Sequence, residues 1–386
     1  MESSYWFMVQ LALILLAANV AGKLSEKFKQ PAVMGQILIG LVLGAGLMEK
    51  TEIIEQFAQI GVVFLMFIAG LETDVKELLA SIKSSSLIAL GGIVFPAFLV
   101  FAGMMIVFPN QSMLVALFLG IVSTATSVSI SVQTLREIHQ LRTKQGLMIL
   151  GAAIIDDIAG IILLTLLVGL VKPGASSSVG VVTLKIVAFF TILYAVGFVV
   201  VKFLRKIKDD VVGDEQIIVF SIILCFILAF MSEEFGVAAI TGAYFAGVIF
   251  SMTSFKHRVS HDVNKVSNLL FTPIFFVGIG MDINLSAAAT AVGVGSLLIV
   301  MGIIGKIVGC GLGARLSGFT LDDSLQIGVG MVPRAEVAII VANLGLQMAI
   351  LSEKDMAATV VMVLVTTLVT PSMLKWTFNR VHKSVA

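Results

Sequence analysis

The chain has 386 residues, 58% of them hydrophobic and only 13% charged, against about a quarter charged in ordinary soluble proteins. With a mean hydropathy of +1.08 there is too little polar surface to wrap the two or three soluble domains this length could otherwise form. The net charge of +1 gives no reason to expect nucleic acid or an acidic solvating tail. A bilayer is the expected solvent.

Polar punctuation leaves thirteen apolar segments, at about 5–21, 33–48, 57–71, 87–108, 113–135, 146–171, 179–201, 217–231, 236–252, 269–281, 287–312, 324–346 and 356–374. They are continuous and lack the polar alternation of a membrane barrel, so they are expected to be helices. About 20 residues span a bilayer, so the shorter segments borrow flanking residues. No basic stretch precedes the first segment, and Ala17, Ala18 and Ala21 lead into a basic loop, which reads as a retained helix and not a cleaved signal. About a dozen residues follow the last segment, so no cytosolic domain is expected.

The loops fix a direction. Alternate connections hold Lys23, Lys27 and Lys29; Lys76 and Lys83; Arg136, Arg142 and Lys144; Lys202, Arg205, Lys206 and Lys208; Lys256, Arg258 and Lys265; Arg315; and the tail's Lys375, Arg380 and Lys383. The opposite side has Lys50, Lys172, Lys185 and Lys354. The positive-inside rule then puts the N-terminus outside and the C-terminus in the cytoplasm.

Thirteen divides as six, one and six, with a first repeat over 1–171, a linker helix over 179–204 and a second repeat over 216–378. The odd linker enters the second repeat upside down relative to the first, the layout of inverted-repeat transporters. The fifth segment of each half is interrupted, by Ser123-Thr124-Ala125-Thr126-Ser127 in one and Val332-Pro333-Arg334-Ala335-Glu336 in the other. Interruptions at matching positions point to a midplane binding site. The expected fold is therefore an all-α polytopic membrane protein of about 13 helices, with two inverted repeats and two broken crossing helices.

Five ionisable residues inside the apolar segments need a reason: Asp156, Asp157, Lys306, Arg334 and Glu336. A charge near the bilayer centre costs a few kcal/mol on insertion scales, so it faces a cavity or a partner. Asp156 and Asp157 sit about ten residues into their segment. One proton or one cation relieves both their desolvation and their mutual repulsion, so H⁺ and a small cation compete there. Neighbours on a helix project about 100° apart, and the two can take different roles. Lys306, in Gly302-Ile303-Ile304-Gly305-Lys306, is expected to pair with one aspartate. A Lys–Asp contact that breaks when the other aspartate takes a cation would couple cation arrival to proton release.

A hard cation needs oxygen ligands, and Thr124, Thr126 and Ser127 offer hydroxyls and unwound backbone. Such hydroxyls also bond simply to their own helix, and both readings stand. In the opposed break Pro333 frees carbonyls, while Arg334 and Glu336 are expected to reach other helices in a supporting role. A structural ion pair is the alternative for these two. Cys225 and Cys310 lack any metal or redox spacing and read as packing residues. His139, His257, His261 and His382 all fall in cytoplasmic connections and read as solvated. No P-loop or dinucleotide fingerprint is present, and no cofactor is expected.

Taken together, Gln30-Pro31 to Gly44, Phe67-Ile68-Ala69-Gly70-Leu71-Glu72-Thr73-Asp74, Ser123 to Ser131, Gly151 to Asp157, Phe271 to Asp282, Lys306 and Pro333-Arg334-Ala335-Glu336 make the chain similar to the monovalent cation:proton antiporter-2 family, specifically its NapA-type sodium/proton exchangers. The resemblance covers nearly the whole chain. It implies an elevator-like antiporter in which Asp157 binds the transported ion with help from Asp156 and Thr126. It also implies that Asp156 pairs with Lys306 and that the crossover at Thr126 neutralises helix ends. A homodimer is implied as well, with 1–80 plus 216–283 as the dimerisation domain and 86–171 plus 287–376 as the moving core. Gln36 and Ala45 depart from the family's frequent Glu and Pro. Kef-type potassium efflux relatives usually have Gln-Asp in place of the aspartate pair and a cytosolic nucleotide-binding domain.

The expected function is exchange of cytoplasmic Na⁺ (or Li⁺) for external H⁺ across the plasma membrane, electrogenic at two protons per Na⁺. A K⁺/H⁺ antiporter of the same family and a cation-coupled symporter for an organic solute are the rivals. A symporter would show more polar or aromatic residues near the site, and Trp6 and Trp376 both lie far from it in sequence.

Overall fold

The computed structural model describes residues 5–171, 179–206, 214–282 and 291–385, and all regular structure among them is helical. In chain order the helices are α1 (Trp6–Lys27), α2 (Ala32–Gly44), α3 (Glu52–Glu72), α4 (Val75–Val107), α5 (Met113–Val122), α6 (Val128–Glu137), α7 (Lys144–Val171), α8 (Val179–Leu204), α9 (Asp214–Glu234) and α10 (Ala239–Ser251). Next come α11 (Lys256–Val266), a π-turn (Ser267–Phe271) and α12 (Thr272–Met281), which follow one another without a break. The chain ends with α13 (Val292–Leu316), α14 (Leu321–Gly330), α15 (Glu336–Gln347) and α16 (Glu353–Val385).

Among the described residues, eight helices are long and apolar enough to cross a membrane. Four shorter apolar ones, in α2, α5, α10 and α15, accompany them. Two helices start well ahead of their expected segments, and the first and last run on past theirs, to Lys27 and Val385. The fourth helix starts at Val75, not 87, because Lys76, Glu77 and Lys83 are carried on a helical turn that hydropathy alone reads as loop. The tenth starts at Lys256, not 269, because α11 is a polar, amphipathic helix that runs directly into the apolar one. Lys172, Lys208 and residues 287–290 lie outside the described residues.

Caps show why the helices begin where they do. Ser112 accepts from the Val115 N–H at 3.2 Å to start α5, and Thr320 with Asp323 forms a reciprocal capping box at α14. Ser352 and Asp355 make the same exchange at the start of α16. Between α9 and α10, Gly236 takes φ +77°, a conformation that costs glycine little.

The chain separates into two compact units. One comprises 51–80 and 161–275. In it α3 and α10 cross at Gly70 and Gly247, where a side chain on either would strike the other helix's backbone. Beside this crossing the Tyr244 hydroxyl donates to Thr73 Oγ1 at 3.1 Å, and Phe64 packs on Phe226 and Phe271 at ring separations of 5.4 and 5.5 Å.

The other unit comprises 1–50, 81–160 and 276–386 and holds every candidate site residue. Its α4 and α13 run backbone to backbone across Gly91 and Gly309, with Gly305 seated on Pro96. Small residues at such a seam allow the close approach that replaces hydrophobic drive inside a membrane. Lys50 and Asp282 close the ends of this unit's α2–α3 connection and α12 with a 2.7 Å ion pair.

Candidate ion site at two crossed helix breaks

The two interrupted segments become two broken helices. α5 stops at Val122 and α6 starts at Val128. α14 stops at Gly330 and α15 starts at Glu336. Each break leaves five residues, 123–127 and 331–335, outside regular helix, so the backbone groups there must find partners elsewhere.

They find them largely in each other. The Ser127 N–H donates to the Pro333 carbonyl at 2.7 Å, the Ser131 hydroxyl to the Gly330 carbonyl at 2.5 Å, and the Thr126 hydroxyl, at a long 3.4 Å, to the Met331 carbonyl. Arg334 completes the tie. Its Nε and Nη2 both donate to the Ser123 carbonyl at 3.1 and 2.8 Å, Nη2 also reaches the Gly302 carbonyl at 2.9 Å, and Nη1 donates to the Val332 carbonyl. The side chain is fully buried, and its charge lies on the carbonyl end of α5, where a helix dipole favours a cation.

The hydroxyls divide between the two readings. Ser123 and Thr124 donate back to Gly120 and Ile121 of their own helix at 2.6 and 2.8 Å. Thr126 reaches across to the other break, and Ser127 is bonded to Ser129 at 3.2 Å.

The carboxylates lie on α7. Lys306 Nζ donates to Asp156 Oδ2 at 2.9 Å, and the pair is fully enclosed, with side-chain exposures of 0% and 2%. Asp156 Oδ1 is buried and takes no hydrogen bond. Asp157 is 7% exposed. Gly92 on α4 makes room for the lysine, since a Cβ there would lie 3.2 Å from Nζ and 2.5 Å from Cys310 Sγ. Asp156 also lies within electrostatic range of Arg334. α13 therefore serves both groups one turn apart, the Gly302 carbonyl facing Arg334 and Lys306 facing Asp156.

Of the residues singled out from sequence, the structure thus joins Asp156 with Lys306, Thr126 and Ser127 with the second break, and Arg334 with the first. The Glu336 side chain lies outside the described residues. Both cysteines are buried and free. Three participants were not anticipated. Thr367 on α16 donates to the Arg334 carbonyl, Ser131 ties α6 to Gly330, and Glu137 at the end of α6 accepts from the Ala32 and Val33 N–H groups at 2.6 and 3.3 Å, capping α2. Only the last had a signal in the sequence: Pro31 opens a helix with no Ser, Thr, Asp or Asn to cap it, so a cap had to come from elsewhere.

A helical membrane protein with paired buried carboxylates, a buried lysine and two interlocked helix breaks belongs to the class of secondary ion transporters. Comparison with known proteins identifies which kind. The family model described as "Sodium/hydrogen exchanger, transmembrane" matches residues 11–380, and the chain belongs to that family of cation:proton antiporters. It is 39% identical to the Na⁺/H⁺-K⁺ antiporter GerN of Bacillus cereus, covering 100% of this chain and 99% of that one. It is 33% identical to a Na⁺/H⁺ antiporter of Enterococcus hirae, covering 96% and 98%. Among solved structures it shares its fold with the sodium proton antiporter MjNhaP1 of Methanocaldococcus jannaschii, at 17% identity, a TM-score of 0.69 and 96% coverage of both chains.

Proposed function

We propose that this protein is a secondary antiporter that exchanges cytoplasmic Na⁺ (or Li⁺) for external H⁺ with a stoichiometry of two protons per Na⁺. The observation that carries the reading is the enclosed Asp156–Lys306 pair next to Asp157, in the same unit as the interlocked breaks. In the proton-loaded form Asp157 is neutral and Lys306 is an ammonium paired with Asp156. In the sodium-loaded form Asp157 is ionised and holds Na⁺, with Asp156 and Thr126 as further oxygen donors, and Lys306 has given up its proton. Two protons leave for each Na⁺ that binds, so the two loaded forms differ by one charge. The proton-loaded form is neutral, and the sodium-loaded form shares one Na⁺ between two carboxylates and keeps one net negative charge, which is costly in such a medium unless the ion is closely held.

That one charge per cycle adds about 2.3 kcal/mol per 100 mV of membrane potential. At about 1.4 kcal/mol per tenfold gradient, this is some 1.6 decades of extra sodium extrusion, available even when the outside is alkaline. The chain's inverted repeats and its N-outside orientation belong to the same proposal. So does an elevator-like motion of 86–171 plus 287–376 against a dimerisation domain of 1–80 plus 216–283 in a plasma-membrane homodimer.

Purified protein in liposomes tests the reading. An imposed potential without a pH gradient should drive sodium-dependent proton movement, and flux indifferent to the potential would refute electrogenicity. Asp157→Asn should reduce the coupled flux to background, and persistent coupling would refute the site. Exchange of K⁺ is the second reading, because the relative GerN is named for both ions. Scanning proton efflux across Na⁺, Li⁺ and K⁺ separates the two.

A further inference from the structure

Within the unit formed by 51–80 and 161–275, a groove of about 750 Å³ runs between α8 and α10. We propose that it is a binding site for an anionic glycerophospholipid, with an acyl chain along the groove and the phosphate at Lys202, Arg205 and Lys206. The proposal is independent of the transport reading.

The sequence of α8 builds the two ends of the site in register. Residues four apart lie one above the other on a helix, and two such rows line the groove: Tyr194–Phe198–Lys202–Lys206 and Leu193–Gly197–Val201–Arg205. Each row starts apolar and ends in a cation, Lys202 on the last turn of α8 and Arg205 and Lys206 in the turn that follows Leu204, so the basic cluster caps the apolar stripe. The facing wall on α10 is Phe245, Val248, Ile249 and Met252. Gly197 lets the helices approach, since a Cβ there would lie 3.2 Å from Ile249. Phe190 packs edge-on against Phe245 at 5.7 Å at the apolar end.

Charge and length select the occupant. Among the described residues no Asp or Glu lines the groove, and Lys202 Nζ is held 5.7 Å over the Phe198 ring, at the junction of the apolar and cationic parts. From Phe190 to Lys202 is about 18 Å along a helix, close to the depth of one leaflet of a hydrocarbon core about 30 Å thick. A molecule with an aliphatic chain of that length and a phosphate at its end fills both parts. Basic pockets between membrane helices bind such headgroups, each Lys or Arg contributing about 1 kcal/mol, or roughly fivefold in affinity. Tyr194 and Phe198, both largely exposed, would then be covered by the lipid.

The test uses the full chain purified in neutral detergent. Phosphatidylglycerol should raise the thermal unfolding temperature and survive as a bound adduct in native mass spectrometry. Phosphatidylcholine should do so far less, and inorganic phosphate not at all. The variant K202Q/R205Q/K206Q, altered only at exposed side chains, should unfold at the wild-type temperature without lipid and retain phosphatidylglycerol on the order of a hundredfold more weakly. The variant K23Q/K27Q/K29Q, with the same loss of charge elsewhere, should bind it as the wild type does. Equal effects of the two lipids, a shift with phosphate alone, or equal loss in both variants would overturn the proposal.

Discussion

The two helix breaks are alike in geometry and opposite in chemistry. Both leave five residues between short helices, yet the first break offers neutral hydroxyls and carbonyls while the second brings Pro333 and a buried guanidinium. Arg334 donates to the carbonyls of both breaks and of α13. A break of this kind needs donors for its freed carbonyls, and one break supplies the charge for both. The contrast extends to the ends of the same broken helices. Glu137, at the end of α6, is pushed above the usual carboxylate range by burial, despite its bonds from Gln133, Ala32 and Val33. Asp323, in the first turn of α14, is raised by burial but lowered by its bonds from Thr320 and Gln145 and by nearby Lys144, and its carboxyl is held below that range.

If the charge is concentrated in the second break, Arg334→Gln should have the largest effect. It leaves buried carbonyls of Ser123 and Gly302 short of donors, at a cost of about 3 kcal/mol or more, and thermal unfolding in detergent should fall accordingly. Arg334→Lys, which restores charge but not the planar fork, should recover only part of that loss. Full recovery would show that the fork is dispensable.

Ser131→Ala should come next, at about 1 kcal/mol for one buried hydroxyl–carbonyl bond. Thr126→Val should cost under about 0.5 kcal/mol, because its bond is long and weak, while raising the Na⁺ concentration needed for half-maximal exchange. An unchanged sodium dependence would remove Thr126 from the ion's ligands.

The smallest effects are those of pH, and their signs differ between the two ends. Folded protein holds the Glu137 proton more tightly than unfolded chain does. Its contribution to stability is therefore fully present below the ordinary carboxylate range and is lost as pH rises through the raised value. Asp323 contributes above its ordinary range and loses that contribution as pH falls through the lowered value. Unfolding temperatures scanned against pH should flatten on the alkaline side of the carboxylate range for Glu137→Gln and on the acid side for Asp323→Asn. The reverse pattern would show that the two ends have been assigned the wrong way round.

The breaks and the Asp156–Lys306 pair were legible in the sequence because the membrane makes them so. Four hydroxyl residues in one apolar run, and Pro333, Arg334 and Glu336 in the other, interrupt helices that lipid would otherwise enforce, and a buried ammonium demands a carboxylate, with the resemblance indicating which of the two aspartates it is. The partners of Arg334 were not legible, because it binds backbone carbonyls, which every residue possesses and none advertises. The crossover at Thr126 was expected to neutralise helix ends, yet the charge on the end of α5 comes from Arg334. Hydropathy also missed the starts of the long fourth helix and of the α11–α12 run. Both begin with charged stretches whose helical pattern mean hydropathy does not register.

The seam of Gly91 against Gly309 beneath the lysine has one more consequence. Where two backbones meet without side chains, there are no rotamers to hop and no methyl groups to rearrange, so thermal motion at the seam is limited to movement of whole helices. A frame of that stiffness holds Lys306 on α13 at a fixed distance from Gly92 on α4. It also makes the seam intolerant of substitution: any side chain added there would displace the helix and carry the lysine with it.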